Sequence, residues 1–168
     1  MSTQIRKWNE NDIEGLCRLM NEADRSFLSN GLPYPYTEDN AKWWLNMISE
    51  NDGINGIYRA IISGDEVIGM ISLARKVDVY IKDGEVSYLL AKEYWGQGIT
   101  TNALQEFCQM AFQELDILRI TAAIFSPNIA SQKVLLKCGF VLEGTIKNGV
   151  YKNDEVMDLQ YYGKYRTE

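Results

Sequence analysis

A strand that runs through a glycine turn directly into a helix is the feature that most constrains this chain. Residues 88–101 read YLLAKEYWGQGITT, with an apolar stretch before Gly96 and Gly98 and an amphipathic pattern after them. A helix that starts at such a turn leaves its first backbone N–H groups without partners, and its macrodipole favours an anion at that end. The segment therefore predicts a backbone site for a phosphate group.

The glycines alone leave the kind of phosphate open. A mononucleotide P-loop is excluded, because no Gly-Lys-Ser or Gly-Lys-Thr follows the turn. A dinucleotide fingerprint fits poorly, because its third glycine is missing and the preceding elements form a meander instead of a βαβ unit. A generic nucleotide-binding α/β domain stays as one alternative.

Hydrophobic periodicity predicts the order strand, helix, helix, strand, strand, strand, helix, strand, helix, strand, strand. We expect strands at residues 4–8, 56–62, 67–76, 85–91, 118–125, 140–147 and 154–162. We expect helices after a cap at Asn11 or Asp12, after Thr37, after Gly98 and after residues 126–128. This pattern favours a three-layer α/β/α fold with a mixed sheet, in a single domain of residues 1–168.

Charge and residue usage exclude several classes of function. The chain has 168 residues, a net charge of −6 and no basic run, which excludes a nucleic-acid footprint. Because no apolar run reaches membrane-spanning length and the start has no signal-peptide pattern, no membrane partner is expected. The three cysteines show no metal spacing, so we expect a reducing cytoplasm and no metal site. Histidine is absent, so acid–base chemistry must come from carboxylates, hydroxyls, amines or water.

A second motif follows in residues 128–144, which read NIASQKVLLKCGFVLEG. Together with the glycine turn it resembles the GCN5-related N-acetyltransferase (GNAT) superfamily, and within it the RimJ/RimL-like branch of ribosomal-protein N-terminal acetyltransferases. The resemblance covers nearly the whole chain, since LPYPYTEDNAKWWL, GMISL and YKNDEVMDLQYY also match that branch in order. It implies the GNAT acyl-CoA N-acyltransferase fold with a mixed, largely antiparallel, splayed sheet. It also implies an acetyl-CoA-dependent N-acetyltransferase.

The resemblance further implies where acetyl-CoA binds as co-substrate. The family motif Gln/Arg-x-x-Gly-x-Gly/Ala falls on residues 95–100. Trp95 replaces the polar first residue and Thr100 the small last one, and both changes leave the backbone N–H groups in place. The turn and the helix start would hold the CoA pyrophosphate through Trp95, Gly96, Gln97, Gly98, Ile99, Thr100 and Thr101. The strand before them would pair with the pantetheine arm through Leu89, Leu90 and Ala91. The Leu90 N–H would also serve as oxyanion donor.

The same resemblance implies catalytic roles. Asn128 would contact the pantetheine arm, and Ser131 would assist the leaving thiolate, because Leu135 replaces the tyrosine acid that many members carry. Glu85 takes the strand position of the catalytic glutamate in some members and is the candidate general base. Val150 stands where some RimL-like relatives have a glutamate, so a water relay without one dominant base is an alternative. The residues alone also allow a helix cap at Asn128, a surface role for Ser131 and a solvated carboxylate at Glu85.

An aromatic segment corresponds to the loop and helix that line the acceptor pocket in the family. The candidate acceptor contacts are Tyr34, Tyr36, Trp43 and Trp44, with Ser87 on the strand face of Glu85. Aromatic rings there would hold a peptide N-terminus or a small amine by stacking and cation–π contact. Because adjacent helix positions face different directions, at least one of the two tryptophans is expected in the core.

The expected partners are acetyl-CoA and an amine acceptor, either a protein N-terminus, as in a ribosomal protein, or a small molecule. A homodimer is the default oligomer, because two-fold symmetric dimers are the commonest. The alternative function is a non-catalytic acyl-CoA-binding sensor or interaction domain. The missing histidine and the missing tyrosine acid are compatible with that alternative.

Overall fold

A mixed seven-stranded sheet forms the centre of the structure, a computed structural model that describes residues 2–167. Its strands are β1 (Thr3–Arg6), β2 (Gly56–Ser63), β3 (Glu66–Arg75), β4 (Asp83–Leu90), β5 (Arg119–Phe125), β6 (Val141–Lys152) and β7 (Glu155–Tyr165). Its α-helices are α1 (Ile13–Glu22), α2 (Glu38–Asn51), α3 (Ile99–Glu114) and α4 (Ile129–Lys137). The order of strands and helices confirms the prediction. None of these described helices is long and apolar enough to cross a membrane.

The sheet order confirms a mixed, largely antiparallel arrangement. The strands lie in the order β1-β2-β3-β4-β5-β7-β6, and every neighbouring pair is antiparallel except β4–β5. A parallel pair needs a long crossover connection, and α3 supplies it between β4 and β5. The parallel pair therefore lies where the chain passes through the glycine turn.

Side chains alternate between the two faces of β4, and each face contacts different helices. Val86 and Leu90 belong to the larger core cluster, which includes Phe107 of α3 and Leu135 of α4. Leu89 points the other way and packs against the cluster formed by α1, α2 and the loop between them. The helices therefore form two layers with the sheet between them, which confirms the three-layer α/β/α fold.

The starts of α1 and α2 differ in how they are capped. Thr37 precedes α2, and its hydroxyl accepts from the Asn40 N–H at 3.2 Å while the Asn40 side chain accepts from the Thr37 N–H at 2.9 Å. Asp12 occupies the predicted cap position of α1, but its carboxylate binds Arg6 and the Asn9 N–H instead. The Asn9 side chain instead caps a short 3-10 helix of residues 10–12, which leads into α1. The predicted start of α1 is thus correct, but neither predicted cap residue makes a side-chain capping bond to it.

β6 is longer than the sequence predicts. An end at residue 147, just before an Asn-Gly pair, is expected, but the strand continues to Lys152. Asn148 has a φ of 56°, and the register shifts between Ile146 and Val150, so the pair forms a bulge instead of a turn. The Asn148 N–H donates to the Asp158 carboxylate of β7 at 2.8 Å, which holds the bulge in the sheet.

A buried ion pair joins α2, β2 and α3 away from the parallel strands. Arg59 is 3% exposed, and its guanidinium lies 2.7 Å from the Asp52 carboxylate and 3.2 Å from the Glu114 carboxylate. Asp52 also accepts from the Tyr58 N–H and pairs with Lys7. Burial raises the pKa of Asp52, but hydrogen bonds from Arg59 and Lys7 outweigh it and hold that pKa below its ordinary value.

Candidate active site

The parallel strands β4 and β5 separate soon after they begin. They pair only over residues 83–85 of β4 and residues 119–121 of β5. β4 nevertheless stays paired with β3 up to Leu90, and β5 stays paired with β7 up to Phe125. A gap therefore opens inside the sheet between residues 86–90 and residues 122–125, and we call it the slot. The slot confirms the predicted splayed sheet.

Backbone alternation decides which groups of β4 face the slot. The Ala91 N–H donates to the Ile68 carbonyl of β3 at 2.8 Å. The antiparallel ladder therefore turns the N–H and C=O of Leu89 towards β3 as well, and those of Tyr88 and Leu90 into the slot. This corrects the prediction that three residues pair with the pantetheine arm. Leu89 and Ala91 are engaged with β3, and the Leu90 carbonyl accepts from the Trp95 indole, so of the three only Leu90 leaves a backbone N–H for a ligand.

Charged side chains fix the closed end of the slot. Asp83 accepts a hydrogen bond from the Thr121 hydroxyl at 3.0 Å, and its carboxylate lies 2.6 Å from the Lys76 ammonium and 3.3 Å from the Arg119 guanidinium. Arg119 also pairs with Glu143 of β6 at 2.5 Å, and this hydrogen bond lowers the pKa of Glu143. These contacts tie β4 and β5 together at the point where they begin to diverge.

The glycine turn lies beyond the end of β4 and presents unpaired amides. Gly96 and Gly98 have φ of 74° and 76°, and a Cβ at either would meet no described atom within 4 Å. Gly98 precedes α3 without a side-chain cap, and the Asn102 N–H donates to its carbonyl at 3.0 Å. The N–H groups of residues 99–101 precede that bond and have no acceptor within the helix. We call the turn and these amides the anion cradle.

Trp95 connects the anion cradle to the end of β4. Its indole N–H donates to the Leu90 carbonyl at 2.8 Å, and the Lys92 ammonium lies 5.9 Å from the centroid of a Trp95 ring. Since the Ala91 N–H is bonded to β3, the peptide between Leu90 and Ala91 is held at both ends. Trp95 thus supplies a side-chain donor at a position where the family motif has a polar residue.

The remaining predicted CoA contacts of residues 95–101 differ in how far their side chains are exposed. Ile99 is buried in the larger core cluster, so its backbone alone is available to an anion. Thr100 and Thr101 are half-buried at the helix start. The Gln97 side chain bends back to the Glu93 carbonyl at 3.3 Å. The backbone of this segment, and not its side chains, therefore forms most of the cradle.

The first turn of α4 lies beside the slot. The Tyr88 hydroxyl donates to the Ser131 carbonyl at 3.4 Å, which brings the strand and the helix together. Asn128 caps α4, because its Oδ1 accepts from the Ser131 N–H at 3.2 Å. Leu135 is fully buried. Tyr88 is absent from the predicted site residues, although strand alternation from Leu90 places it on the same edge of β4.

Glu85 and Ser87 lie on the opposite face of β4 from the Tyr88 side chain. Both are exposed, and Glu85 is the last residue of β4 that pairs with β5, through Thr121. Glu85 therefore lies at the closed end of the slot, with its side chain on the face of the sheet that α1 and α2 cover. The candidate base and the α4 side of the slot are thus on opposite faces of the sheet.

The predicted acceptor aromatics divide into two exposed and two packed residues. Tyr34 is 71% exposed and Trp43 is 68% exposed. Tyr36 is buried in the cluster of α1 and α2, and the Trp44 ring meets the Trp8 ring edge-on with 5.2 Å between centroids. Trp44 confirms that one tryptophan belongs to the core. Tyr36 and Trp44 form a packed wall, and Tyr34 and Trp43 stay as candidates for direct contact with an acceptor.

Two cations fasten the loop that carries Tyr34. The Lys152 ammonium at the end of β6 donates to two loop carbonyls, including that of Arg25 at 2.5 Å. The Arg25 guanidinium lies 4.9 Å from the Tyr34 ring centroid. Phe27 of the loop meets Phe125 of β5 edge-on, with 6.4 Å between ring centroids, so the loop lies over the end of β5. Sequence reasoning missed Lys152, because its contact with Arg25 joins residues 127 positions apart.

The slot, the anion cradle and α4 all lie within one recognised family domain. Residues 3–141 match the family described as the acetyltransferase (GNAT) domain. The chain belongs to this family. The match ends at the first residue of β6, so it includes β4, β5, α3 and α4, which form and border the slot. The family resemblance of residues 88–101 and 128–144 is confirmed.

Similar proteins carry N-acetyltransferase names. This GNAT chain is 34% identical to YdaF of Bacillus subtilis (strain 168), provisionally named a ribosomal N-acetyltransferase, over 68% of this chain and 62% of that protein. It is 29% identical to the ribosomal-protein-serine acetyltransferase of Escherichia coli (strain K12), over 97% of this chain and 92% of that protein. The fold is shared with a solved structure of RimL, a ribosomal L7/L12 alpha-N-protein acetyltransferase in complex with coenzyme A. The TM-score is 0.82 and the identity 21%, over 98% of this chain and 94% of that chain.

Proposed function

We propose that this GNAT protein transfers the acetyl group of acetyl-CoA to a primary amine. The slot that leads from the anion cradle along β4 is the observation that carries the proposal. A pantetheine arm needs a strand edge with unpaired backbone groups, and the Tyr88 backbone and the Leu90 N–H offer them. A pyrophosphate needs converging amides, and residues 96–101 offer them directly beyond that edge. The residues present therefore fit an acyl-CoA.

The arrangement supplies the parts of a direct acyl transfer. A neutral amine attacks the thioester carbonyl carbon, and the Leu90 N–H, which points into the slot, is the candidate donor for the developing oxyanion. Glu85 at the closed end of the slot is the candidate base that takes the amine proton, directly or through water. Holding both substrates in one slot contributes to the rate through orientation.

Helix α4 contributes two further contacts to this proposal. Because the helix cap uses Oδ1 of Asn128, its amide nitrogen is the atom left for the pantetheine arm. Ser131 lies half-buried in the first turn of α4, where its hydroxyl is a candidate neighbour of the CoA sulfur. Both roles extend the family resemblance to this chain.

We infer that the acceptor is the amino terminus of a protein, with a ribosomal protein as the first candidate. Support comes from the names of the Bacillus subtilis and Escherichia coli relatives. The chain spans 62% of the length of YdaF and 59% of the length of YjcK, a second Bacillus subtilis relative. Exposed Tyr34 and Trp43 would contact the acceptor on the side of α1 and α2, where Glu85 is exposed.

Titration calorimetry with acetyl-CoA, followed by thiol-release assays, tests this proposal. The acceptors are peptides that begin with alanine or serine, polyamines and free amino acids. We expect saturable binding, and thiol release that requires a free peptide amino terminus; the same peptide with a blocked amino terminus is the matched control. An absence of binding at high micromolar acetyl-CoA would contradict the proposal. Binding without thiol release to any amine would instead support the non-catalytic acyl-CoA-binding alternative.

Replacing Glu85 by glutamine tests the candidate base. We expect kcat to fall by about 100- to 10,000-fold, because a positioned general base contributes that much to proton transfer. Affinity for acetyl-CoA should stay unchanged, because Glu85 is on the opposite face of the sheet from α4. Glu106→Gln, on the exposed side of α3, is the matched control. A wild-type rate in the Glu85 variant would show that a water relay performs this step.

A further inference from the structure

Tyr88 places a hydroxyl group between β4 and the first turn of α4, beside the slot. Its backbone faces the slot next to Leu90, and its ring packs against the core cluster of α3 and α4. The phenol oxygen donates to the Ser131 carbonyl in the first turn of α4, 3.4 Å away. The side chain therefore reaches from the strand that would hold the pantetheine arm to the helix beside it.

The hydrogen bond from Tyr88 to Ser131 is weak and replaceable. The two oxygens of a hydrogen bond from a hydroxyl to an oxygen are usually about 2.7–2.8 Å apart. At 3.4 Å, the Tyr88 hydroxyl makes only a weak hydrogen bond to the Ser131 carbonyl. The Ser131 carbonyl lies inside α4, where the helical ladder already gives it a donor. The Tyr88 hydroxyl can thus turn to a stronger acceptor without leaving a buried carbonyl unpaired.

Burial keeps this hydroxyl protonated. Desolvation raises the pKa of Tyr88 to about 12, although the hydrogen bond to Ser131 acts in the opposite direction. The phenol is therefore a neutral hydrogen-bond donor throughout the pH range in which an amine can attack a thioester. A donor that is already desolvated and held in place interacts strongly with charge that develops beside it.

Helix α4 offers no phenol of its own at the corresponding place. Leu135 lies one helical turn beyond Ser131 and is fully buried in the core. The position at which many family members carry a tyrosine acid is thus filled by a hydrocarbon side chain. Tyr88 brings a phenol from β4 to the preceding turn of α4, at Ser131.

We propose that Tyr88 is a catalytic residue that donates a hydrogen bond to the thioester sulfur as the C–S bond breaks. This role rests on the acetyl-CoA-dependent transfer proposed above. In the step, the amine nitrogen forms the new C–N bond, the C–S electron pair moves to sulfur, and the amine proton goes to Glu85 or to water. Since a thiol with a pKa of about 8.5 is a stronger acid than this phenol, Tyr88 keeps its proton, and solvent later protonates the thiolate.

Binding of CoA and of desulfo-CoA, which lacks the sulfur, tests this role without relying on turnover. At a pH where the thiol ionises, wild-type protein should prefer CoA by about 10- to 100-fold, the range for a hydrogen bond to a charged acceptor. Tyr88→Phe should lose that preference and still bind desulfo-CoA normally. Tyr58→Phe, which removes a half-buried phenol on β2, is the matched control and should keep the preference.

Thiol release provides a second measurement. We expect Tyr88→Phe to lower kcat by the same factor with the KM for acetyl-CoA unchanged, because the sulfur carries little charge before the reaction. Equal losses of affinity for CoA and desulfo-CoA, or an unchanged kcat, would overturn the role of Tyr88 and leave acetyl transfer standing. A wild-type protein that binds neither ligand would overturn both proposals.

Discussion

Replacing Gly98 by alanine is expected to weaken acetyl-CoA binding by about 10- to 100-fold, the loss that follows when one hydrogen bond to a charged group is removed. Gly98 has a φ of 76°, and an alanine in that left-handed conformation costs about 1–2 kcal/mol. The turn can relieve this strain by rotating the peptides that form the anion cradle. Such a rotation directs amides away from a bound pyrophosphate. Titration calorimetry with acetyl-CoA measures the effect.

Gly53→Ala is the matched control for this prediction. Gly53 has a φ of 79°, and a Cβ there would likewise meet no described atom within 4 Å. It follows the end of α2, away from the slot, so the two variants impose the same backbone strain at different places. Both should lose a similar amount of stability, and only Gly98→Ala should lose affinity. Equal affinities in the two variants would show that the turn does not bind the pyrophosphate.

Replacing Asp52 by alanine is expected to lower the free energy of unfolding by about 3–5 kcal/mol, the usual cost of removing one partner of a buried ion pair. Arg59 is almost fully buried, and the loss of Asp52 leaves its guanidinium with the more distant and partly exposed Glu114 carboxylate. Urea unfolding at neutral pH measures the change. Glu38→Ala removes an exposed pair with Lys42 and should cost less than about 1 kcal/mol. Similar costs in both variants would contradict the prediction.

The same ion pair gives this prediction a pH dependence. The pKa of Asp52 in the folded protein lies below its ordinary value of 3.8, so the ion pair stabilises the fold fully above that value. The stabilisation is lost as the pH falls through the lowered pKa of the folded state. The unfolding free energies of the wild type and of Asp52→Ala should therefore converge below about pH 4. A difference that stays constant as the pH falls further, through the lowered pKa of Asp52, would contradict the assignment.

Local signals in the sequence are sufficient to predict the elements that build the slot. The apolar stretch before Gly96 and the amphipathic pattern after Gly98 predict a strand, a turn and a helix, and these form as expected. A positive φ at both glycines is a local requirement, because only glycine adopts it without strain. Thr37 likewise begins α2 through bonds to Asn40, three residues away.

Contacts between distant residues could not be predicted in the same way. Whether Leu90 or Ala91 faces the slot depends on which of them bonds to β3, and strand alternation alone does not decide this. The Asn-Gly pair at residues 148–149 has the local signature of a turn, but Asp158 on the neighbouring strand holds it as a bulge. The position of Tyr88 against Ser131 depends on how α4 packs against β4. Tertiary pairing, and not local preference, determines these features.

The splayed sheet also protects the unpaired edge of β4 from the strands of other molecules. An unpaired strand edge at the rim of a sheet attracts the strands of other molecules and promotes aggregation. Here the free edge of β4 lies inside the sheet, with β5 and β7 on its far side. Helix α4 borders one face and the loop fastened by Lys152 lies over the end of β5 on the other. A second polypeptide would have to carry side chains past both, so the free edge of β4 is shielded from the strands of other molecules.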